Sequence, residues 1–408
     1  MEEHSILILE LGDGNLDKLI SMLKSASETV PFYIDYFKSN NLNPLKIESY
    51  PIIEKQDIML RPHEFLNSKI GVELKRYKTS GSTGIPLNVY KSDADKYMQL
   101  KCLWKYRIRH FGVSPNIHRI TFHFFKKNKK MDRQDIIIIK GNTISINALN
   151  LTEEKLLSCV KEISRFNPEF IMGTPTMVCQ LLHCYNNLQL DFLKRIKYVE
   201  LMGEYLFKEQ QEFIKNTLNC NISNHYGCTE IYGIAQQCSL GHMHVLSDNV
   251  LLEIDKNNQV IVTGLNSFAM PFIRYRLGDK ACIKKIECSC GETSDCVEIK
   301  AGRISENVVL SDGKLINSAV FYYIIETINR IETMVLRFKV VQKDFGYLKV
   351  YLCVKVQADQ NYIKKVFENE LKKNDMGDFD VKFEFIGFND FDILSSKYSY
   401  FENKMEGK

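Results

Sequence analysis

Residues 77–86 read Tyr77-Lys78-Thr79-Ser80-Gly81-Ser82-Thr83-Gly84-Ile85-Pro86, a short run that gathers hydroxyls, glycines and a lysine. Gly81 and Gly84 carry no Cβ, so the backbone there can take positive φ and come close to a ligand. Successive N–H groups in such a turn form a concavity for anions, and Thr79, Ser80, Ser82 and Thr83 add hydroxyl donors. Phosphate oxygens suit that chemistry. No Gly-Lys-Ser/Thr follows, which excludes a P-loop, while a solvated surface turn would share the composition. Cys238, followed by His242 and His244, and the pair Cys288 and Cys290 bring soft donors together farther along. Three thiolates and an imidazole fit tetrahedral zinc, and four protein ligands would leave no open position, so such a metal would be structural. Buried free thiols are the alternative for Cys-x-Cys spacing.

The elements that must position these groups follow from periodicity. Leu16, Leu19, Ile20 and Leu23 recur at helical spacing, and an aromatic helical segment follows Val30-Pro31. Leu87–Tyr90 reads as a strand, Asp93–Arg109 as a helix, and Thr121–Phe125 as an aromatic strand. Ile136–Ile139 is a continuous β-branched run, expected to be a strand buried on both faces. Thr152 opens a helix that Asn167-Pro168 ends, and Phe170–Gly173 returns as a strand before Thr176 starts another helix. Tyr198–Met202 is a further strand, running into Gly203-Glu204. Strand–helix–strand alternation predicts an α/β layered domain over 1–302. Past it, an Asp312-Gly313 hairpin and a helix, strand, strand, helix, strand series predict a small α+β domain over 307–408.

His225-Tyr226-Gly227-Cys228-Thr229-Glu230, Tyr275-Arg276-Leu277-Gly278-Asp279, Gly302-Arg303-Ile304-Ser305-Glu306 and Ser395-Ser396-Lys397-Tyr398 follow the hydroxyl loop in order. Together these segments resemble the signatures of the adenylate-forming superfamily, which includes acyl- and aryl-CoA ligases. Within it the likeness is to phenylacetate–CoA ligases and their capsule-biosynthesis relatives, and it covers nearly the whole chain. The resemblance implies that Thr79, Ser80, Gly81, Ser82, Thr83 and Gly84 cradle the phosphates of ATP. It implies that Gly203, Glu204, Tyr226 and Gly227 meet the adenine, and that Thr229 donates to the α-phosphate. Glu230 would hold magnesium, since a hard cation takes carboxylate oxygen. Asp279 would accept both ribose hydroxyls, because a carboxylate offers two acceptors to a cis-diol. Arg303 would reach the ribose or a phosphate from a hinge at 303–306, where Glu306 replaces the family's usual aspartate. Lys397 would span the attacking carboxylate and the α-phosphate, with Ser396 and Ser399 standing where relatives usually carry glycine and arginine. A cysteine–histidine–cysteine–cysteine zinc site in some relatives implies Cys238, His244, Cys288 and Cys290 as ligands, His244 being preferred to His242 on spacing.

That resemblance implies ATP-dependent activation of a small carboxylic acid through an acyl adenylate, with transfer to a thiol, CoA first, as an acid–thiol ligase. A carrier protein, an amine or a sugar amine is the alternative acceptor, and a homodimer or a carrier-protein partner is left open. With 54 basic against 50 acidic residues and a net charge of +4, nothing favours nucleic acid or a membrane surface. No stretch reads as a secretory signal or a membrane span, and twelve scattered cysteines fit reduced thiols in a cytoplasm.

Overall fold

A computed structural model of the chain describes residues 7–8, 13–79, 87–123, 136–147, 153–188, 190–300, 307–313, 315–329, 334–374, 376–387 and 400–405. Its larger layer is a 13-stranded mixed sheet. Strands Thr143–Asn147, Arg119–His123, Phe170–Gly173, Tyr198–Met202 and Asn221–Cys228 lie side by side and parallel. Parallel neighbours need crossovers, and the helices Glu153–Phe166, Pro175–Leu188 and Lys208–Thr217 supply them. Leu156, Ile163, Val178 and Ile214 of those helices are buried against Ile120, Ile171 and Val199 of the strands. Beyond Asn221–Cys228 the sheet turns antiparallel, through Tyr232–Gln237, Met243–Val245, Cys296–Lys300, Tyr275–Lys284, Gln259–Gly264 and Val250–Ile254. Three adjacent parallel strands therefore release their carboxyl ends beside this change of direction, where open α/β sheets bind ligands.

The isoleucine run departs from expectation. It forms the edge strand Ile137–Lys140, paired among the described residues with Thr143–Asn147 alone. Ile138 and Ile139 are 45% and 52% exposed. β-Branching selects a strand, but two-sided burial also requires layers on both faces, which composition does not report.

The smaller domain is α+β as predicted. Its hairpin turns at Gly313, whose φ is 79°, the left-handed region that glycine enters without strain. A four-stranded sheet follows, ordered Asp380–Phe385, Tyr347–Val354, Val335–Asp344, Phe401–Asn403. Helices Ala319–Ile328 and Gln360–Lys373 cover it, and Phe321, Ile324, Phe338, Val350 and Phe367 form a separate core. Tyr205 and Phe207 of the larger domain pack on that core, the Phe207 ring lying 6.2 Å from Tyr400.

One buried ion pair braces the parallel half. Glu200, in the strand Tyr198–Met202, takes Arg107 Nε at 2.7 Å and Nη2 at 2.6 Å. Tyr198 Oη donates to it at 2.9 Å, Gln236 Nε2 at 2.9 Å, and His225 Nδ1 lies 3.3 Å away. Burial alone would raise the Glu200 carboxyl, but the Arg107 charge and the bonds from His225 and Arg107 outweigh it and hold the group far below its ordinary value. A folded value below the unfolded one adds stability that is complete at neutral pH and lost as pH falls. Glu200→Gln should therefore unfold about 3 kcal/mol more easily in urea at pH 7, because it strands a buried guanidinium. The gap to the parent should shrink as pH falls below the carboxylate's ordinary 4.5.

Candidate active site

The carboxyl ends of neighbouring strands bring three predicted segments together. Gly203-Glu204 leaves the strand Tyr198–Met202 with Gly203 at φ 81°. Beside it, Thr176 N–H donates to Glu204 Oε2 at 3.3 Å, so the Gly173–Thr176 turn and Glu204 share one rim. Tyr226 and Gly227 lie in the next strand, Asn221–Cys228, and the turn after it carries Thr229 and Glu230. Asp279 lies across the mouth in Tyr275–Lys284, one residue past Gly278 at φ 82°.

Two tyrosine–carboxylate bonds cross between these segments. Tyr226 Oη donates to Asp279 Oδ2 at 3.0 Å. Tyr275 Oη donates to Glu230 Oε1 at 3.2 Å, and Glu230 is only 7% exposed. The second and third motifs, 45 to 53 residues apart in sequence, thus share one site. The segment Pro51–Lys55 joins them. Ile53 N–H donates to Arg274 O at 3.1 Å, Arg276 N–H donates to Ile53 O at 2.9 Å, and Arg276 Nη1 meets Glu54 at 2.6 Å. Arg274 holds φ 48° while its guanidinium is bonded to Glu253 and to Tyr50 O, which fixes the approach to Tyr275.

The ends of the hydroxyl loop are also placed. Strands Lys75–Lys78 and Asn88–Lys91 form an antiparallel hairpin. Thr79 N–H donates to Leu87 O, and Leu87 N–H donates to Thr79 Oγ1, each at 2.9 Å. Ser80, Gly81, Ser82, Thr83 and Gly84, Arg303 with the hinge, and Lys397 lie outside the described residues.

Sequence reading missed Lys91. It is 2% exposed, and its Nζ donates to Gln99 Oε1 at 2.5 Å and to the Glu230 carbonyl at 2.7 Å. The ammonium also lies 4.2 Å from the centre of the Tyr232 ring, and burial brings its pKa down to about 8. The two-residue alternation that buries Val89 predicts Lys91 on the same inward face, so a signal was present.

The cysteine–histidine cluster forms at the other side of the antiparallel half. One donor atom from each of Cys238, His242, His244 and Cys288 lies within 4.8 Å of the others. His242, passed over on spacing, has Nδ1 3.1 Å from Cys288 Sγ, and Cys290 Sγ lies 3.4 Å from His244 Nε2. Sulfurs bonded to one tetrahedral zinc at ~2.3 Å sit about 3.8 Å apart; Cys238 and Cys288 are 3.9 Å apart. Ser294 O accepts from His244 Nδ1 at 3.1 Å, which leaves Nε2 as the ligating atom. Burial opposes a thiolate at Cys288, but its bond with His242 and the nearby donors prevail and lower it to about 6. The donor set fits zinc.

Residues 79–263 match the family of AMP-binding enzymes. Protein CapK of Staphylococcus aureus is 24% identical over 415 residues, covering 93% of this chain and 86% of that protein. The crystal structure of a 2-hydroxyisobutyryl-CoA ligase, in the post-adenylation state with an acyl-AMP, superposes with a TM-score of 0.69 at 16% identity, over 92% of this chain and 85% of that one. An acyl acid amido synthetase superposes with a TM-score of 0.60 at 11% identity, over 97% and 91% of the two chains. The match to AMP-binding enzymes thus spans residues 79–263, and the fold is the one these ligase and synthetase structures share.

Gly227 offers a direct check on how the site is built. A Cβ there would lie 1.7 Å from Tyr232 O and 3.0 Å from His225 Nε2. Backbone cannot retreat from such a clash without moving the turn. Gly227→Ala should lower ATP affinity and cost about 2 kcal/mol or more of stability, read by calorimetry and by urea unfolding.

Proposed function

We propose that this chain activates a carboxylic acid with ATP and passes the acyl group to a thiol, that of CoA first. The observation that carries the proposal is the pair of crossed bonds, Tyr226 to Asp279 and Tyr275 to Glu230; they support it by linking the two carboxylates it assigns to a ribose diol and to a cation. A carboxylate oxygen of the substrate attacks the α-phosphorus, the bond to the bridging oxygen breaks, and pyrophosphate leaves. The thiol then attacks the acyl carbon and AMP leaves. Asp279 holds the ribose, Tyr226 flanks the base, and Thr229 with Thr79 and the hydroxyls of 80–84 donates to phosphate oxygens. Glu230 would hold magnesium, which offsets the charge of the triphosphate. Lys397 supplies positive charge between the attacking carboxylate and the α-phosphate, and withdraws when the smaller domain turns about 303–306 to admit the thiol.

A second reading keeps the adenylation and changes the acceptor to an amine or a carrier protein. The likeness to an acyl acid amido synthetase and to Protein CapK favours keeping it. Zinc, in this proposal, is a structural clamp of Cys238, His244 and Cys288 with His242 or Cys290, fastening Met243–Val245 to the segment before Cys296–Lys300.

A panel of carboxylic acids, scored by pyrophosphate exchange with and without CoA, tests the main proposal. Exchange with at least one acid is expected. Thioester formation with CoA supports the thiol route, and trapping by hydroxylamine alone supports the other acceptor. Lys397→Ala should lose exchange by about two orders of magnitude and keep thioester formation from supplied acyl adenylate. Equal loss of both steps contradicts its assignment.

Elemental analysis of protein prepared without chelator should find stoichiometric zinc. Cys288→Ser should release it and lower the unfolding temperature by several degrees, with the ATP dissociation constant little changed.

A further inference from the structure

A buried ammonium is costly unless its donors are used. Lys91 uses them on groups from separate parts of the chain. Gln99 Oε1 belongs to the helix Asp93–Phe111, and its own amide is fixed by donating to Asn266 O at 3.0 Å and Ser267 Oγ at 2.8 Å. The second acceptor is the main-chain carbonyl of Glu230, 139 residues away. The third contact is the face of Tyr232, a residue held at φ 67°, where a side chain other than glycine's is strained. Lys91 also ends the strand whose first neighbour, Leu87, closes the base of the hydroxyl loop against Thr79.

One ammonium therefore joins the hairpin of Lys75–Lys78 and Asn88–Lys91 to the turn of Thr229 and Glu230. It bonds to the main chain of Glu230, while Tyr275 donates to the carboxylate. We propose that Lys91 is a positioning residue, setting the spacing between that hairpin and the Glu230 turn so that the carboxylate meets the divalent cation carried by the triphosphate. The inference rests on the ATP-binding proposal above. Its ligand class is a nucleoside triphosphate with its divalent cation.

The test compares the full chain with Lys91→Met and Lys91→Arg. Calorimetry measures ATP affinity with magnesium and again in EDTA, and amide hydrogen exchange follows the turn 228–233. In Lys91→Met, magnesium–ATP should bind about tenfold more weakly, as when a group behind a metal ligand is removed. Metal-free ATP should bind as to the parent, exchange in the turn should rise, and Lys91→Arg should recover most of the loss. If Lys91→Met does not fold, Gln99→Met removes the acceptor that orients the ammonium, together with the amide's bonds to Asn266 and Ser267, and is read in the same way. Unchanged magnesium–ATP affinity, equal losses with and without magnesium, or unchanged exchange in the turn would each overturn the proposal. A parent protein that binds no ATP would refute the functional proposal and the cation-spacing role with it, while the exchange comparison would still decide whether Lys91 holds the turn.

Discussion

Two acidic side chains facing one mouth repel each other and will splay apart unless something other than a ligand holds them. Here that restraint is a pair of phenols. Tyr226 reaches across to Asp279, and Tyr275 reaches back to Glu230, so each motif lends a donor to the other's carboxylate. A neutral phenol can donate without cancelling the charge of the carboxylate it holds. The crossing also makes the geometry mutual: the strand carrying Tyr226 cannot drift without disturbing Asp279. Preorganisation of this kind is what lets an electrostatic site act without reorganising during reaction.

Beneath the mouth, the Glu200 network gives those strands a rigid floor. Arg107 comes from a helix, Tyr198 and Glu200 from one strand, His225 from the next and Gln236 from a third. His225 immediately precedes Tyr226, and Glu200 lies three residues before Gly203, so the buried charges lie directly behind the residues of the candidate site. An apolar core could pack as well, yet it would fix the relative height of the strands less sharply. Arg274 performs a similar service for the third motif, its left-handed backbone held by Glu253 and Tyr50.

Local patterning made most of the architecture legible. The strand Tyr198–Met202, the hairpin at Gly313 and the helix–strand order of the small domain follow from periodicity and turn chemistry, which act within a few residues. The motifs around Glu230 and Asp279 were legible as types, but their crossing through Tyr226 and Tyr275 was not, because pairing across 45 residues is a property of the sheet. The isoleucine run Ile136–Ile139 misled for a related reason: its residues favour a strand, while its place at the sheet's edge depends on chain order. Lys91 was passed over because a lysine suggests solvent even where alternation points it inward. Spacing favours His244 over His242, yet the turn through Gly241, at φ 88°, brings both imidazoles to the cluster.

The short strand Phe401–Asn403 has a consequence for the sheet it completes. It lies parallel to Val340–Gln342, with Phe401 buried and stacked 5.5 Å from Phe321. It and Asp380–Phe385 hold the two opposite edges of the four-stranded sheet. Were it to peel away, the backbone donors and acceptors of Val340–Gln342 would become an open edge, a template on which another strand can add.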